Sequence, residues 1–186
     1  MAEPSSTHPT FVAAKEVVKE IVALGIAASN RHFSVSFYGE EVLEQRFKAL
    51  DAASAQVNSE QDLNTFDLLD APSIKAMARI GAEHEAGNCQ EQSALAFDKL
   101  ARRGVRPLEL MSIQAKDHVL VVAGRVAGTP GACSSWNSDT VICDPWAKRA
   151  YFVYALQDEM NLLKKFTNGV TAMVQKFKLD GSESWS

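Results

Sequence analysis

Residues 86–124 read AGNCQEQSALAFDKLARRGVRPLELMSIQAKDHVLVVAG, and the fold class turns on how this stretch changes character halfway. Gly87 and Asn88 interrupt a helical pattern and form a turn, so a new helix begins at or just after Cys89. Ala94, Phe97, Leu100 and Ala101 recur at helical spacing and supply its buried stripe. Arg102 and Arg103 stand in the last turn, where cations complement the helix dipole, and Gly104 is a C-cap. After Pro107 the period shortens, and LELMSIQ and HVLVVAG read as two strands.

Working outward, residues 1–10 read as a disordered, polar leader. From Thr10 the pattern is helical, with Phe11, Ala14, Val17, Val18, Ile21, Val22 and Leu24 recurring at three- and four-residue spacing and Asn30 as the expected stop. A second helix is expected from Glu40 to Val57 and a third from Ser73 to His84, with Pro72 breaking the polar stretch between them. Downstream, TVICD and AYFVY read as two more strands, and residues 128–139 as a loop. A helix over Gln157–Phe166 and a strand-like tail to Leu179 follow. Helices first and an antiparallel sheet of about four to five strands afterwards make an α+β arrangement. The expectation is one domain over residues 11–180, helical over about 11–104 and sheet over about 105–180.

Composition narrows the function classes. The 186 residues are 46% hydrophobic and 23% charged, as in ordinary globular chains. A formal net charge of −4 with no long basic run argues against nucleic-acid binding by phosphate neutralisation. Lys15, Lys19 and Glu20 break the longest apolar stretch, so no membrane span is expected. The first ten residues lack the pattern of a cleaved secretory signal, although polar Ser/Thr/Pro-rich leaders occur on proteins exported by specialised bacterial secretion machines. Cys89, Cys133 and Cys143 form no CxxC pair. A Cys133–Cys143 disulfide would leave Cys89 free, and the simpler reading keeps all three reduced. Neither metal-ligand spacing nor a phosphate-binding glycine loop is present, so no metal and no cofactor are expected.

Three residues point to chemistry. A thiol at the first turn of a helix meets unpaired N–H groups and the positive dipole end, which favour a thiolate and can hold an oxyanion. Against the plain alternative of a small buried hydrophobe stand the polar neighbours of Cys89, namely Gly87, Asn88, Gln90 and Glu91. His118 opens the strand HVLVVAG, where its ring can reach a helix end packed on the sheet, and taken alone it reads better as a surface histidine at a turn. Asp144 ends the strand TVICD and begins Asp-Pro-Trp, so it either orients the imidazole or caps a turn. Trp146 can shield such a site from water, and Asn88, Gln90 or backbone N–H groups can serve the oxyanion. His8 lies in the leader and His32 in an expected loop, and His84, between Glu83 and Glu85, ends a helix.

GNCQEQSALAF, DHVLVVAGR and VICDPWAKRAYF together resemble the Cys-His-Asp core of papain-like (transglutaminase-like) fold enzymes, nearest to bacterial toxin and type III effector glutamine deamidases. The resemblance covers about residues 87–154. It implies Cys89 as nucleophile, His118 as base and Asp144 as orienting acid. The implied partner is a protein substrate, possibly in a host cell reached without a cleaved signal peptide. Papain-type proteases usually carry a Gln several residues before the Cys, whereas this chain has Glu83-His84-Glu85-Ala86 there. That departure favours deamidase or transglutaminase chemistry over an endopeptidase. An arylamine acetyltransferase-like acyl carrier would need a coenzyme A pocket that the sequence does not reveal. The alternative of another class is a non-catalytic binding module that keeps the fold.

Overall fold

The computed structural model describes residues 5–29, 39–61, 69–113, 118–162 and 173–185. Four helices come first: α1 (Pro9–Ala23), α2 (Glu40–Gln61), α3 (Ala71–Glu83) and α4 (Cys89–Arg102). Strands β1 (Leu108–Ile113), β2 (Val119–Ala123), β3 (Val141–Asp144) and β4 (Arg149–Phe152) follow, then α5 (Leu156–Leu162) and β5 (Met173–Leu179). The described residues are therefore α+β, with five α-helices and one five-stranded antiparallel sheet.

Helix boundaries have local causes. Pro9 stands in the first turn of α1, where a missing N–H costs no hydrogen bond. The helix thus takes in Pro9 and Thr10 from the expected leader. Ahead of it, the His8 N–H closes a turn on the Ser5 carbonyl at 2.9 Å, and residues 1–4 lie outside the described residues. α1 stops at Ala23 and not at Asn30, because Gly25 follows the Leu24 cap at φ 66°, a left-handed conformation that glycine adopts without a Cβ clash. Asp70 caps α3 by accepting the Ser73 N–H at 2.8 Å, so Pro72 sits in its first turn and opens the helix. α2 runs on to Gln61, and the expected end of the last helix at Phe166 lies outside the described residues.

The sheet order is β4-β3-β2-β1-β5. Period-two alternation sends Leu108, Leu110, Val121, Ala123, Val141 and Cys143 to one face, where α1 and α4 cover them. Phe97 of α4 is fully buried there, edge-on to Phe177 at 5.6 Å and to Trp185 at 5.3 Å between ring centroids. Met111, Leu120, Val122, Ile142 and Tyr151 take the other face, under Leu156 and Met160 of α5 and Trp136 of the β2–β3 loop. In β1, β2 and β3 both faces are therefore buried, which explains why these strands read as nearly continuous apolar runs. The buried Glu109 carboxylate is forked by the Arg125 guanidinium (Nε to Oε2 2.6 Å), which also donates to the Gly128 carbonyl at 2.7 Å and so pins the β2–β3 loop. α3 packs on α4, and α2 packs on α3.

Strand register sets up the site. Val121 pairs with Cys143, so the next step along the ladder puts Leu120 opposite Asp144 and leaves His118 on the diagonal, one residue before β2. α4 crosses the first face and is tied to the same sheet end by Ser93, whose Oγ donates to the Val119 carbonyl at 2.9 Å.

Candidate active site

The turn that delivers Cys89 is held from both sides. Backbone pairing runs between residues 27 and 85–87: the Ala27 N–H donates to Glu85 and the Gly87 N–H to Ala27, each at 2.9 Å. Asn88 then adopts an extended conformation as N-cap, and its N–H donates to the Glu91 carboxylate at 2.9 Å, one half of a capping box. The fold-back of Glu91 is what demands glycine at 87, since a Cβ there would lie 2.6 Å from Glu91 Cβ. The buried Gln92 amide closes the turn by donating to the Gly87 carbonyl at 2.8 Å.

Cys89 is thus the first residue of α4, 6% exposed and packed against Ala28, Trp146 and Ala147. Its thiol is a hydrogen-bond partner of the His118 imidazole. His118 Nε2 lies 2.7 Å from Asp144 Oδ2, which leaves Nδ1 as the ring nitrogen for Cys89. Asp144 is fully buried, and its second oxygen, Oδ1, accepts the Ala147 N–H at 2.9 Å. Turn-capping and imidazole-holding, alternatives in the sequence, are therefore done together by the two oxygens of one carboxylate. The Trp146 ring meets His118 edge-on, 5.3 Å between centroids at 65°, and covers the pair from water.

Opposing influences act on the imidazole. Burial is the largest single one and pushes its pKa down. The hydrogen bonds to Asp144 and to Cys89, with the charges of both, outweigh it and raise the pKa to about 9. The upward shift favours the imidazolium form of His118, the cationic partner that a thiolate–imidazolium pair requires. The other thiols have different surroundings. Cys143 is fully buried and burial pushes its thiol far up, with the Asp144 charge adding to it. Cys133 lies in the β2–β3 loop on the opposite face of the sheet, half-buried, and burial raises it too.

The fold thus brings Cys89, His118, Asp144 and Trp146 together. Asn88 and Gln90 flank the thiol, and each has one side-chain atom engaged elsewhere. Asn88 Oδ1 accepts both the N–H and the Oγ of Ser29 at 3.1 Å, and Gln90 Nε2 donates to Met77 Sδ at 3.1 Å on α3. The first-turn backbone N–H groups of α4, which have no intrahelical carbonyl to bond, are donors suited to an oxyanion. Residues 83–85 end α3 and turn, with Glu85 at φ 47° and ion-paired to Arg46 at 2.8 Å. Sequence reasoning did not find Ala28, which packs on the thiol, Ser29, which bonds its N-cap Asn88, or Ser93, which ties its helix to the strand start. A serine inside the apolar run SALAF, one turn after Cys89 on the same helix face, was the available signal for Ser93. Among the described residues no group of three or more His, Cys, Asp or Glu side chains is arranged to hold a metal ion.

No protein-family model matches the sequence, and no curated protein matches it.

Proposed function

We propose that the chain is a cysteine-dependent acyl-transfer hydrolase of papain-like (transglutaminase-like) fold that acts on a protein substrate, with glutamine deamidation as its reaction. The observation that supports this most is the buried relay in which Cys89 hydrogen-bonds His118 and His118 is clamped by Asp144. The Cys89 thiolate attacks a carboxamide carbon, and backbone N–H groups of the α4 first turn hold the oxyanion. His118 gives its proton to the departing nitrogen, so ammonia leaves and a thioester remains. Water, deprotonated by His118, then hydrolyses the thioester, releasing a carboxylate and restoring the thiol. Asp144 keeps the ring oriented and its charge balanced through both steps.

Burial supports a side-chain substrate over a main-chain one. A thiol that is 6% exposed beneath Ala28 and Trp146 is more accessible to a slender glutamine side chain than to a scissile peptide flanked by bulky residues. Resemblance of residues 87–154 to effector deamidases supports the same choice and a bacterial effector role. Proteolysis and crosslinking use the same relay and are the alternative outcomes.

Burial also favours one rival of another class, a binding module in which the buried His118–Asp144 pair is purely structural. Intact-mass analysis of candidate partner proteins after incubation separates all of these. A gain of about one dalton, absent with Cys89→Ala, marks deamidation, loss of a fragment marks proteolysis, and an unchanged partner with inert thiols marks the binding module.

A further inference from the structure

A second feature lies at the opposite rim of the Asp144–Lys148 turn. Lys15, Val18, Lys19 and Val22 recur at helical spacing and form one stripe of α1. This stripe, the start of β4 and Glu159 of α5 enclose an open groove of about 440 Å³. β4 is an end strand of the sheet, and among the described residues no further strand closes this side.

Charge is segregated across α1. Glu16 and Glu20 turn to Arg103, with Glu16 at 3.6 Å, and Glu20 also reaches Lys99 at 3.2 Å. Lys15 and Lys19, an i,i+4 like-charge pair that opposes helix formation, face the groove instead, and Lys19 makes no ion pair among the described residues. Lys148 adds a third ammonium at the rim. Arg149 is neutralised by Glu159 at 2.7 Å. A chain of net charge −4 thus concentrates cations around a groove whose floor, Val18, Val22 and Ala150, is apolar.

We propose that this groove docks an acidic, amphipathic peptide segment of a partner protein. Carboxylates would meet Lys15 and Lys19 while an apolar side chain lies on the valines. A phosphate-bearing ligand fits less well, because the one guanidinium fork at the rim is committed to Glu159 and the lysines are dispersed over an apolar surface. The proposal does not depend on the chemistry of Cys89.

The test is fluorescence anisotropy with the full chain and labelled twelve-residue peptides of Glu and Leu at helical spacing, with Gln/Leu and Lys/Leu counterparts as controls. The Glu/Leu peptide should bind with Kd of roughly 10–100 µM, and 0.5 M salt should weaken it by about tenfold or more. The double substitution Lys15→Glu with Lys19→Glu should weaken it by at least about tenfold, whereas Arg79→Glu on α3 and Cys89→Ala should leave it unchanged. Should the double variant fail to fold, Lys19→Gln alone should weaken binding by about threefold. No binding at roughly 1 mM peptide, equal binding by the lysine variants, or preferential binding of a short oligonucleotide or of anionic vesicles would overturn the proposal.

Discussion

Asp144 divides its two oxygens between a turn and a ring, and this division makes its substitution informative. Asn at 144 can still accept the Ala147 N–H with its carbonyl oxygen, so the turn should survive. It cannot supply the charge that holds His118 at Nε2. Asp144→Asn should therefore lower turnover by roughly ten- to a thousand-fold, less than the loss in a serine triad because a thiol ionises more readily than a hydroxyl. Single-turnover kinetics alongside the melting temperature checks this, and an unchanged rate would confine Asp144 to the turn. The imidazole carries a pH signature of its own. Because His118 is raised to about 9 in the folded chain, above the ordinary histidine value, its contribution to stability is complete below about pH 6.5 and is lost as pH climbs through about 9. Urea unfolding at intervals from pH 6 to 9.5 should show that decline in the wild type. A decline equally steep in His118→Gln would assign it to other groups.

At the scale of elements, the site is a junction between the start of α4 and the ends of β2 and β3. Cys89 is placed by the Gly87-Asn88 turn, and one helical turn further on the Ser93–Val119 hydrogen bond ties the same helix to the strand that follows His118. Gly87→Ala forces its Cβ against Glu91 and should destabilise the chain by about 1–3 kcal/mol in urea unfolding. Ser93→Ala removes the tie without touching the thiol. It should slow alkylation of Cys89 by roughly 3- to 30-fold, and a rate equal to wild type would release Ser93 from any positioning role. The local half of this junction was legible in the sequence. A Gly-Asn break before an amphipathic run starts a helix at Cys89, and a short continuous apolar run ends a strand at Asp144. The other half was not. Ser29 and Asn88 are 59 residues apart, and Ser93 and Val119 are 26 apart, and no local pattern encodes such hydrogen bonds.

Across the whole molecule, the order of helices and strands was readable because each kind of element carries its own pattern: apolar residues at helical spacing in α1 and α4, and short, nearly continuous apolar runs in the central strands. Boundaries failed where a single backbone conformation outweighed the pattern. Gly25 ended α1 ahead of Asn30, and Pro9 extended the helix into the expected leader. The expected loop over 128–139 is correct as a loop, but the buried Glu109–Arg125 pair that anchors it joins residues no motif connects. The core should bear out the layer arrangement: Phe97→Ala, which empties the centre of the helix–sheet interface, should cost about 3–5 kcal/mol, against under about 2 for Cys89→Ala, measured by chemical denaturation.

The central claim, that Cys89 is an activated thiol, is tested most directly by limiting iodoacetamide at pH 7, with peptide mapping of the three cysteines. Exposure alone predicts that half-buried Cys133 reacts ahead of the nearly enclosed Cys89, whereas the His118–Asp144 relay predicts the opposite order. Cys89 should be alkylated first, by about tenfold or more over Cys133, and His118→Ala should abolish that preference. Alkylation of Cys133 ahead of Cys89, or a Cys89 rate indifferent to His118→Ala, would contradict the claim.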